Sequence, residues 1–483
     1  MFLRPRAPRS ARVLAVALAA VLVAGVVGLS GAPGAVAAGP DGSSGSSAGP
    51  SNRPVTPVLS ARRLPGVLAA SQADARLQAV LAAIVASSTP TTCVSVRVGD
   101  RVVDRVNGDQ PMMPASTEKL LTATAVLDHL GADKKLTTSA VTVAANHNGV
   151  IEGDLYVVGG GDPLLTTNGY TSTFEETDQK HNDYAKLADA IKAAGVTQID
   201  GNVLGDDSRF DTQRYLPSWP GRYLRSGEIG PLGALMVNDG FTGLSLTPEV
   251  PTKDRQPGEP AVLAAETLIS LLKARGVAVT GGPSQAKAPD GATTVASLDS
   301  LPIADTVGEM LRRSDNTTAE VLVKDLAVDA GQPGTTADGA RVVHDTLGQL
   351  GLPVQGSVTV DGSGLDLGNR VTCDLLTAAL AHQGPSSTLA ASLPVAGKTG
   401  TLRKRLRGTA ADGNVRAKTG TLNEVAALAG FARTADGEDL TFAVIVNGVL
   451  PTAVAVTDQV AVALAEYGKG VSIDALGPRP AGS

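Results

Sequence analysis

Between residues 137 and 283 the chain changes character, and this limits the folds open to it. On either side lie long apolar patterns of helical period. Within it, apolar runs of strand length at 141–143, 154–158, 203–204 and 244–246 are broken by Gly, Pro, Asp and Asn, the residues that punctuate turns. Two helical patterns interrupt this region, at 184–194 and 261–275. The pattern predicts a host domain interrupted by a mostly β insert with its own small core. The insert is expected at 135–295 and the host at 66–134 and 296–470. With 43% hydrophobic and only 3% aromatic residues, both cores must be built from Ala, Val and Leu.

In the host, Ala73, Leu77, Val80, Leu81 and Ile84 recur at helical spacing over 72–86. Residues 93–106 alternate as two strands about the Gly99-Asp100 turn. A helix over 117–130 is stopped by Gly131. After the insert, helices are expected at 304–313, 318–330, 336–350 and 373–382. Strands at 424–432 and 440–447 follow, joined by a turn through Asp436-Gly437, and then a helix at 457–467.

The first residues read as an address. Arg4, Arg6, Arg9 and Arg12 precede an uncharged apolar run at 13–29 and the small residues Ala35-Val36-Ala37, the pattern of a secretory signal over 1–37. An uncleaved membrane tether is the alternative, since the run is almost long enough to span. Either way the chain is expected outside the cytoplasmic membrane, secreted or wall-associated. Loss of the signal takes the net charge from −6 to −10. Residues 38–65 read as a Gly/Ser/Pro-rich tether and 471–483 as a tail. The acidic balance argues against nucleic acid as a partner. Five histidines without close ligand spacing argue against a zinc hydrolase, and no metal site is expected. Two cysteines exclude a disulfide scaffold; Cys93 and Cys373 could pair or stay free.

Three short segments carry chemistry. Ser116 and Lys119 stand one turn apart at a helix start, so the amine can reach the hydroxyl. A serine becomes a nucleophile only beside a base, and a lysine can be that base when burial lowers its pKa. Burial and a nearby Lys418 cation are expected to do so. Ser314 and Asn316 occupy a tight loop between two helices. Lys418-Thr419-Gly420-Thr421 opens an apolar strand, where glycine lets a substrate backbone approach and two hydroxyls suit a carboxylate. A second Lys-Thr-Gly-Thr copy starts at Lys398, but Arg403, Lys404, Arg405 and Arg407 follow it. Such a stretch cannot enter a packed sheet, so Lys418 is the expected working copy and Lys398 a coincidence.

An S-x-x-K, an S-x-N and a K-T-G in this chain order resemble the penicillin-recognising serine enzymes. The chain most resembles the class C low-molecular-mass penicillin-binding proteins, the D-Ala-D-Ala carboxypeptidase/endopeptidase family. Asp154-Leu155-Tyr156, Gly159-Gly160-Gly161-Asp162-Pro163, Asp206-Asp207-Ser208, Trp219-Pro220, Asp361-Gly362-Ser363-Gly364-Leu365 and Arg416-Ala417-Lys418 support the narrower match. The 198 residues between Ser116 and Ser314 also fit that family's inserted domain. Cys373 stands where the family pattern leads one to expect a proline. The resemblance implies an α/β (α+β) transpeptidase fold of the penicillin-binding-protein/β-lactamase kind, an antiparallel sheet flanked by helices. It implies Ser116 as the acylated nucleophile, Lys119 as its base, Ser314 as proton relay and Asn316 as a holder of the acyl-side amide. Lys418 would set the field, and Thr419, Gly420 and Thr421 would bind substrate. Stem peptides ending in D-Ala-D-Ala would be the substrate, β-lactams would acylate the same serine, and no cofactor is needed.

Two rival functions are a β-lactamase-like hydrolase of the same fold and an inactive wall-binding module; the intact Ser116, Lys119, Ser314, Asn316 and Lys418 argue against the second. Asp162 and Asp206-Asp207 read as solvated turns rather than metal ligands. Asp361-Gly-Ser363-Gly reads as a tight turn in the site wall rather than a nucleophile elbow.

Overall fold

A computed structural model describes residues 65–89, 91–174, 176–242 and 256–470. The signal, the tether as far as Leu64, the tail and the strand expected at 244–246 lie outside the described residues. Helix α1 (Pro65–Ala86) begins seven residues before the expected start. A proline at the first helical position loses no hydrogen bond, so it opens the helix rather than extending the tether. Strands β1 (Thr92–Val98) and β2 (Arg101–Val106) turn at Gly99, whose φ is +54°. Helix α2 (Glu118–His129) follows, and Gly131 ends that segment at φ +84°.

The insert holds β3 (Thr137–Thr142), β4 (Leu155–Val158), α3 (Ala185–Ala193), β5 (Val203–Asp206), α4 (Pro260–Ala274), β6 (Pro283–Gln285) and β7 (Thr293–Asp299). Its sheet runs β6-β5-β4-β3-β7. The first three pair in parallel, while β3 is antiparallel to both its neighbours. Strand β7 has no counterpart in the sequence reading, and it runs through residue 295, where the insert was expected to end. Its pairing with β3 leads us to propose a division nearer Ser300. Leu155, Val157, Tyr184, Leu187, Ile191, Leu268 and Leu272 form the insert's own core. Asp162, Asp206 and Asp207 are not solvated, as the sequence reading had them: all three are buried. Asp206 accepts from the Ser208 and Ala288 N–H groups, and Asp207 accepts from Gln285 and forms an ion pair with Arg214. They staple turns.

The host resumes with α5 (Ile303–Arg313), α6 (Asn316–Asp329), α7 (Thr336–Gln349) and α8 (Cys373–Gln383), then β8 (Val415–Leu422), β9 (Val425–Arg433), β10 (Asp439–Asn447) and α9 (Thr452–Ala465). Helix α9 starts five residues early because Ala453 and Val456 of the added turn are buried in the core that the helix shares with β9 and β10, and tertiary contacts override weak propensity. The host sheet runs β8-β9-β10-β1-β2, antiparallel throughout. Alternate residues serve two cores. Val94, Val96, Leu428, Phe442 and Val444 pack with α1 and α9. Cys93, Ala427, Ala429, Ala443 and Ile445 join α2, α5, α6 and α8 on the other face. Burial on both faces explains why β9 and β10 read as unbroken apolar runs.

Cys93 of β1 and Cys373 at the start of α8 form a disulfide, Cα atoms 6.1 Å apart. A cysteine is tolerated in place of proline because Thr372 caps the helix, accepting from the Leu375 N–H. A further cluster, Phe210, Trp219, Tyr223, Ile229 and Met236, packs on Val321 of α6 and on Leu365. It brings insert residues 222–228 to the host.

Candidate active site

Ser116 sits in a 3-10 turn (Ala115–Thr117) leading into α2. Ala115 before it has φ +47°, and Ser314, the C-cap of α5, has φ +62°. Residues carrying a Cβ are disfavoured in that left-handed region, and such strain gathers at functional sites. Asp315 caps α6 by accepting from the Thr318 N–H, which fixes the loop holding Ser314 and Asn316. Strand β8 lies at the sheet edge, and its Gly420 crosses Pro114 so closely that a Cβ would be 2.6 Å from the Pro114 carbonyl oxygen.

These segments converge. Lys119 Nζ donates to Ser116 Oγ at 3.0 Å, to Asn316 Oδ1 at 2.7 Å and to the Ser363 carbonyl at 2.7 Å. Asn316 Nδ2 donates to the Glu228 carbonyl at 2.7 Å. Lys418 Nζ donates to Ser314 Oγ and to the Thr419 carbonyl, both at 2.7 Å. Thr419 Oγ1 bonds Thr401 Oγ1 at 2.8 Å. Ser116, Ser314, Asn316, Thr419 and Thr421 line one cleft of about 680 Å³, with Arg222, Tyr223 and Leu365 opposite. All eight residues expected from the sequence therefore meet at one place, with Gly420 lying under it.

Both lysines are fully buried. Burial brings Lys119 down to about 8, against the pull of Asp361 and Glu320, which favour its charge. Burial, and after it the Lys119 cation, pushes Lys418 well below the usual lysine range. The expectation that Lys418 helps depress Lys119 thus gives way to a different balance: burial lowers the base, and nearby carboxyls resist. Of those carboxyls, Asp361 was expected only as part of a tight turn in the site wall, and Glu118 and Glu320 escaped the sequence reading, as did Glu228 and Thr401. The available signal was an acid standing inside an apolar helical run, as at Ala319-Glu320-Val321. Thr401 belongs to the second Lys-Thr-Gly-Thr copy, which is therefore not wholly idle. Lys398 itself points elsewhere, to Asp412 at 3.0 Å.

A hydroxyl 3.0 Å from an amine that loses its proton near pH 8 can be deprotonated as it attacks a carbonyl. A second hydroxyl held by a second amine can pass a proton to a leaving group. The chemistry that this arrangement supports is acyl transfer through serine.

The model of the D-Ala-D-Ala carboxypeptidase 3 (S13) family matches residues 68–258 and 252–467. A D-alanyl-D-alanine carboxypeptidase of Actinomadura sp. (strain R39) is 31% identical over 469 residues, covering 82% of this chain and 83% of the relative. The carboxypeptidase DacB of Mycolicibacterium smegmatis is 32% identical over 370 residues, 74% of this chain and 76% of the relative. Penicillin binding protein 4 (dacB) from Haemophilus influenzae superposes with a TM-score of 0.67 at 22% identity, over 79% of this chain and 97% of that one. Its likeness shows the shared fold. The chain belongs to the D-Ala-D-Ala carboxypeptidase 3 (S13) family.

Proposed function

We propose that the chain is a serine D-Ala-D-Ala carboxypeptidase acting on peptidoglycan stem peptides through an acyl-enzyme at Ser116. The observation that carries this reading is the buried Lys119 amine 3.0 Å from Ser116 Oγ. Ser116 Oγ attacks the carbonyl of the penultimate D-Ala while Lys119 takes its proton. The backbone N–H groups of Ser116 and Thr421 receive the oxyanion. Ser314, bonded to Lys418, hands a proton to the departing D-Ala amine. Thr419 and Thr421 hold the terminal carboxylate beside Gly420, and Asn316 holds the acyl-side amide. Water then cleaves the ester, with no metal or cofactor in any step. A β-lactam acylates the same serine, but its amine stays tethered after ring opening and shields the ester from water.

A peptidoglycan substrate lies outside the cytoplasmic membrane, so the reading includes export by the signal proposed at residues 1–37. The Cys93–Cys373 disulfide supports this, because such bonds persist in oxidising compartments. Among the described residues no helix is long and apolar enough to cross a membrane.

The test is intact-mass spectrometry after incubation with benzylpenicillin, paired with an assay of D-Ala release. Wild type should gain one covalent adduct, mapped to Ser116, and Ser116→Ala should lose adduct and activity while staying folded. An adduct that survives Ser116→Ala or maps to Ser363 would overturn the assignment. Rapid nitrocefin turnover without a stable adduct would favour the β-lactamase-like reading.

A further inference from the structure

Three carboxyl groups crowd the far side of Lys119, and the steps above use none of them. Glu118 precedes it in sequence, Glu320 lies one turn along α6 from Asn316, and Asp361 opens the turn at 361–364. All three are fully buried. Their bonding differs. Asp361 accepts four donors: Trp219 Nε1 at 2.8 Å, Asn369 Nδ2 at 2.8 Å, and the N–H groups of Gly364 at 2.8 Å and Asp366 at 2.7 Å. Burial raises Asp361, but these four donors oppose it, so of the three it is the best held as an anion. Glu320 is bonded by Ser363 alone, through its N–H at 2.7 Å to Oε1 and through its side chain, and its Oε2 is buried without a hydrogen-bond partner. Glu118 accepts from Thr359 Oγ1 at 3.1 Å and also leaves Oε2 unpartnered. In a dry site an incompletely bonded carboxyl is cheaper neutral than charged.

Glu320 reaches the base through a single residue. Its Oε1 holds the Ser363 N–H, and the Ser363 carbonyl accepts Lys119 Nζ. The turn between them has no slack. A Cβ on Gly362 would lie 2.3 Å from Val323 Cγ2, and one on Gly364, at φ +80°, would lie 2.0 Å from the Ala115 carbonyl oxygen. Ser363 is thus clamped between α6 and the residue that precedes Ser116.

We propose that Glu320 is the positioning residue of the Lys119 base: as the neutral acid it fixes the Ser363 peptide that orients the amine, and as the anion it returns Lys119 to the ammonium form. The proposal rests on the reading of Lys119 as the base. Burial, then the Asp361 charge, pushes Glu320 up to about 8, while burial brings Lys119 down to about 8. The two titrate in one window, so their apparent values belong to the pair. The charged or titratable groups facing Lys119 are Glu118 from its own helix, Asp315 at the cap of α6, Glu320 from α6, Asp361 from the turn and Lys418 from β8.

The test is the rate of benzylpenicillin acylation of the full chain from pH 5 to 10, for wild type, Glu320→Gln and Glu320→Ala. D-Ala release and melting temperature are recorded for each. Glu320→Gln keeps an oxygen for Ser363 but cannot ionise. Removing an anion beside Lys119 favours its free base, so the acid limb of kcat/KM should move to lower pH by about half a unit or more. Glu320→Ala frees the Ser363 peptide and should lower kcat by about tenfold or more, the scale of a misplaced general base, with KM little changed. Glu320→Gln should recover most of that loss. Glu320→Ala acylating at the wild-type rate, or Glu320→Gln keeping the wild-type acid limb, would overturn the proposal. If Glu320→Ala does not fold, the limb in Glu320→Gln decides alone. If wild type itself takes no adduct at Ser116, the proposed function fails rather than this refinement of it.

Discussion

Lys418 is fully buried against Ser314 Oγ, while the side chain of Lys398, in an identical Lys-Thr-Gly-Thr segment, is 58% exposed and paired with Asp412. An amine in a dry site next to reacting atoms can stabilise developing charge, and one facing water cannot. Lys418→Ala should therefore lose about 2–4 kcal/mol of transition-state stabilisation, the scale of one lost electrostatic donor. Lys398→Ala should acylate almost as wild type does. The check is a pair of penicillin acylation rates and D-Ala release rates, and the reverse pattern would unseat both the site and the strand assignment beneath it. At this scale the sequence was most legible where residue type alone bears chemistry. Ser116, Lys119, Ser314, Asn316 and Lys418 announce themselves by type and order. Glu118 and Glu320 did not, because a glutamate at helical spacing ordinarily faces water, and only the packed turn at 361–364 shows that these two do not. Thr401 was missed for the opposite reason: it sat in a copy dismissed for the cations that follow it.

The disulfide joins β1, inside the host sheet, to the helix that packs on it, across a separation of 280 residues. Long loops gain the most from closure in the chain-entropy view, so the double variant Cys93→Ala/Cys373→Ala should lose about 3–5 kcal/mol. Urea unfolding of oxidised wild type and of the variant gives this directly, and equal midpoints would mean that the bond contributes nothing. Both half-cystines are fully buried, and the strand and helix should hold their places at 25 °C without the bond. Elements of the host were legible because a two-sided sheet leaves long apolar runs and each long helix carries a periodic face. Less could be read in the insert. Strand β7, Thr-Thr-Val-Ala-Ser-Leu-Asp, is largely exposed or half-buried, and what makes it a strand is the edge of β3 that it covers. Pairing of that kind is a property of the partner and is not written in the segment itself.

Across the whole molecule, the insert is fastened to α6 by buried charge, and this makes stability depend on pH in a definite direction. Arg209 of the insert bonds Asp325 of α6 at 2.9 Å, Lys324 pairs with Asp211, and Trp219 Nε1 reaches Asp361. The glycine run of the insert lies directly on Asp325: a Cβ on Gly161, at φ +89°, would be 2.3 Å from Asp325 Oδ1. Burial pushes Asp325 up to about 7, with Arg209 opposing, and pushes Glu320 up to about 8; Glu118 is raised in the same sense. Each of these acids holds its proton more tightly folded than unfolded. Their contribution is therefore complete below the ordinary carboxyl range, near pH 4, and is lost as pH rises through the folded values, about 7 to 8. The buried lysines act oppositely, adding stability as pH rises from their depressed values toward 10.5. For Lys119 that window opens only near pH 8, so below it only Lys418 opposes the raised acids, Asp361 among them. The melting temperature should fall from pH 5.5 to pH 8. Asp325→Asn is expected to be less stable overall, having lost the Arg209 pair, yet to show a shallower slope because one of those titrations is gone. Calorimetry of wild type and Asp325→Asn at pH 5.5, 6.5 and 8 measures both quantities. A melting temperature that climbs across that range would mean that these acids are ionised in the folded protein, and the same result would weaken the case for a neutral Glu320 beside the base.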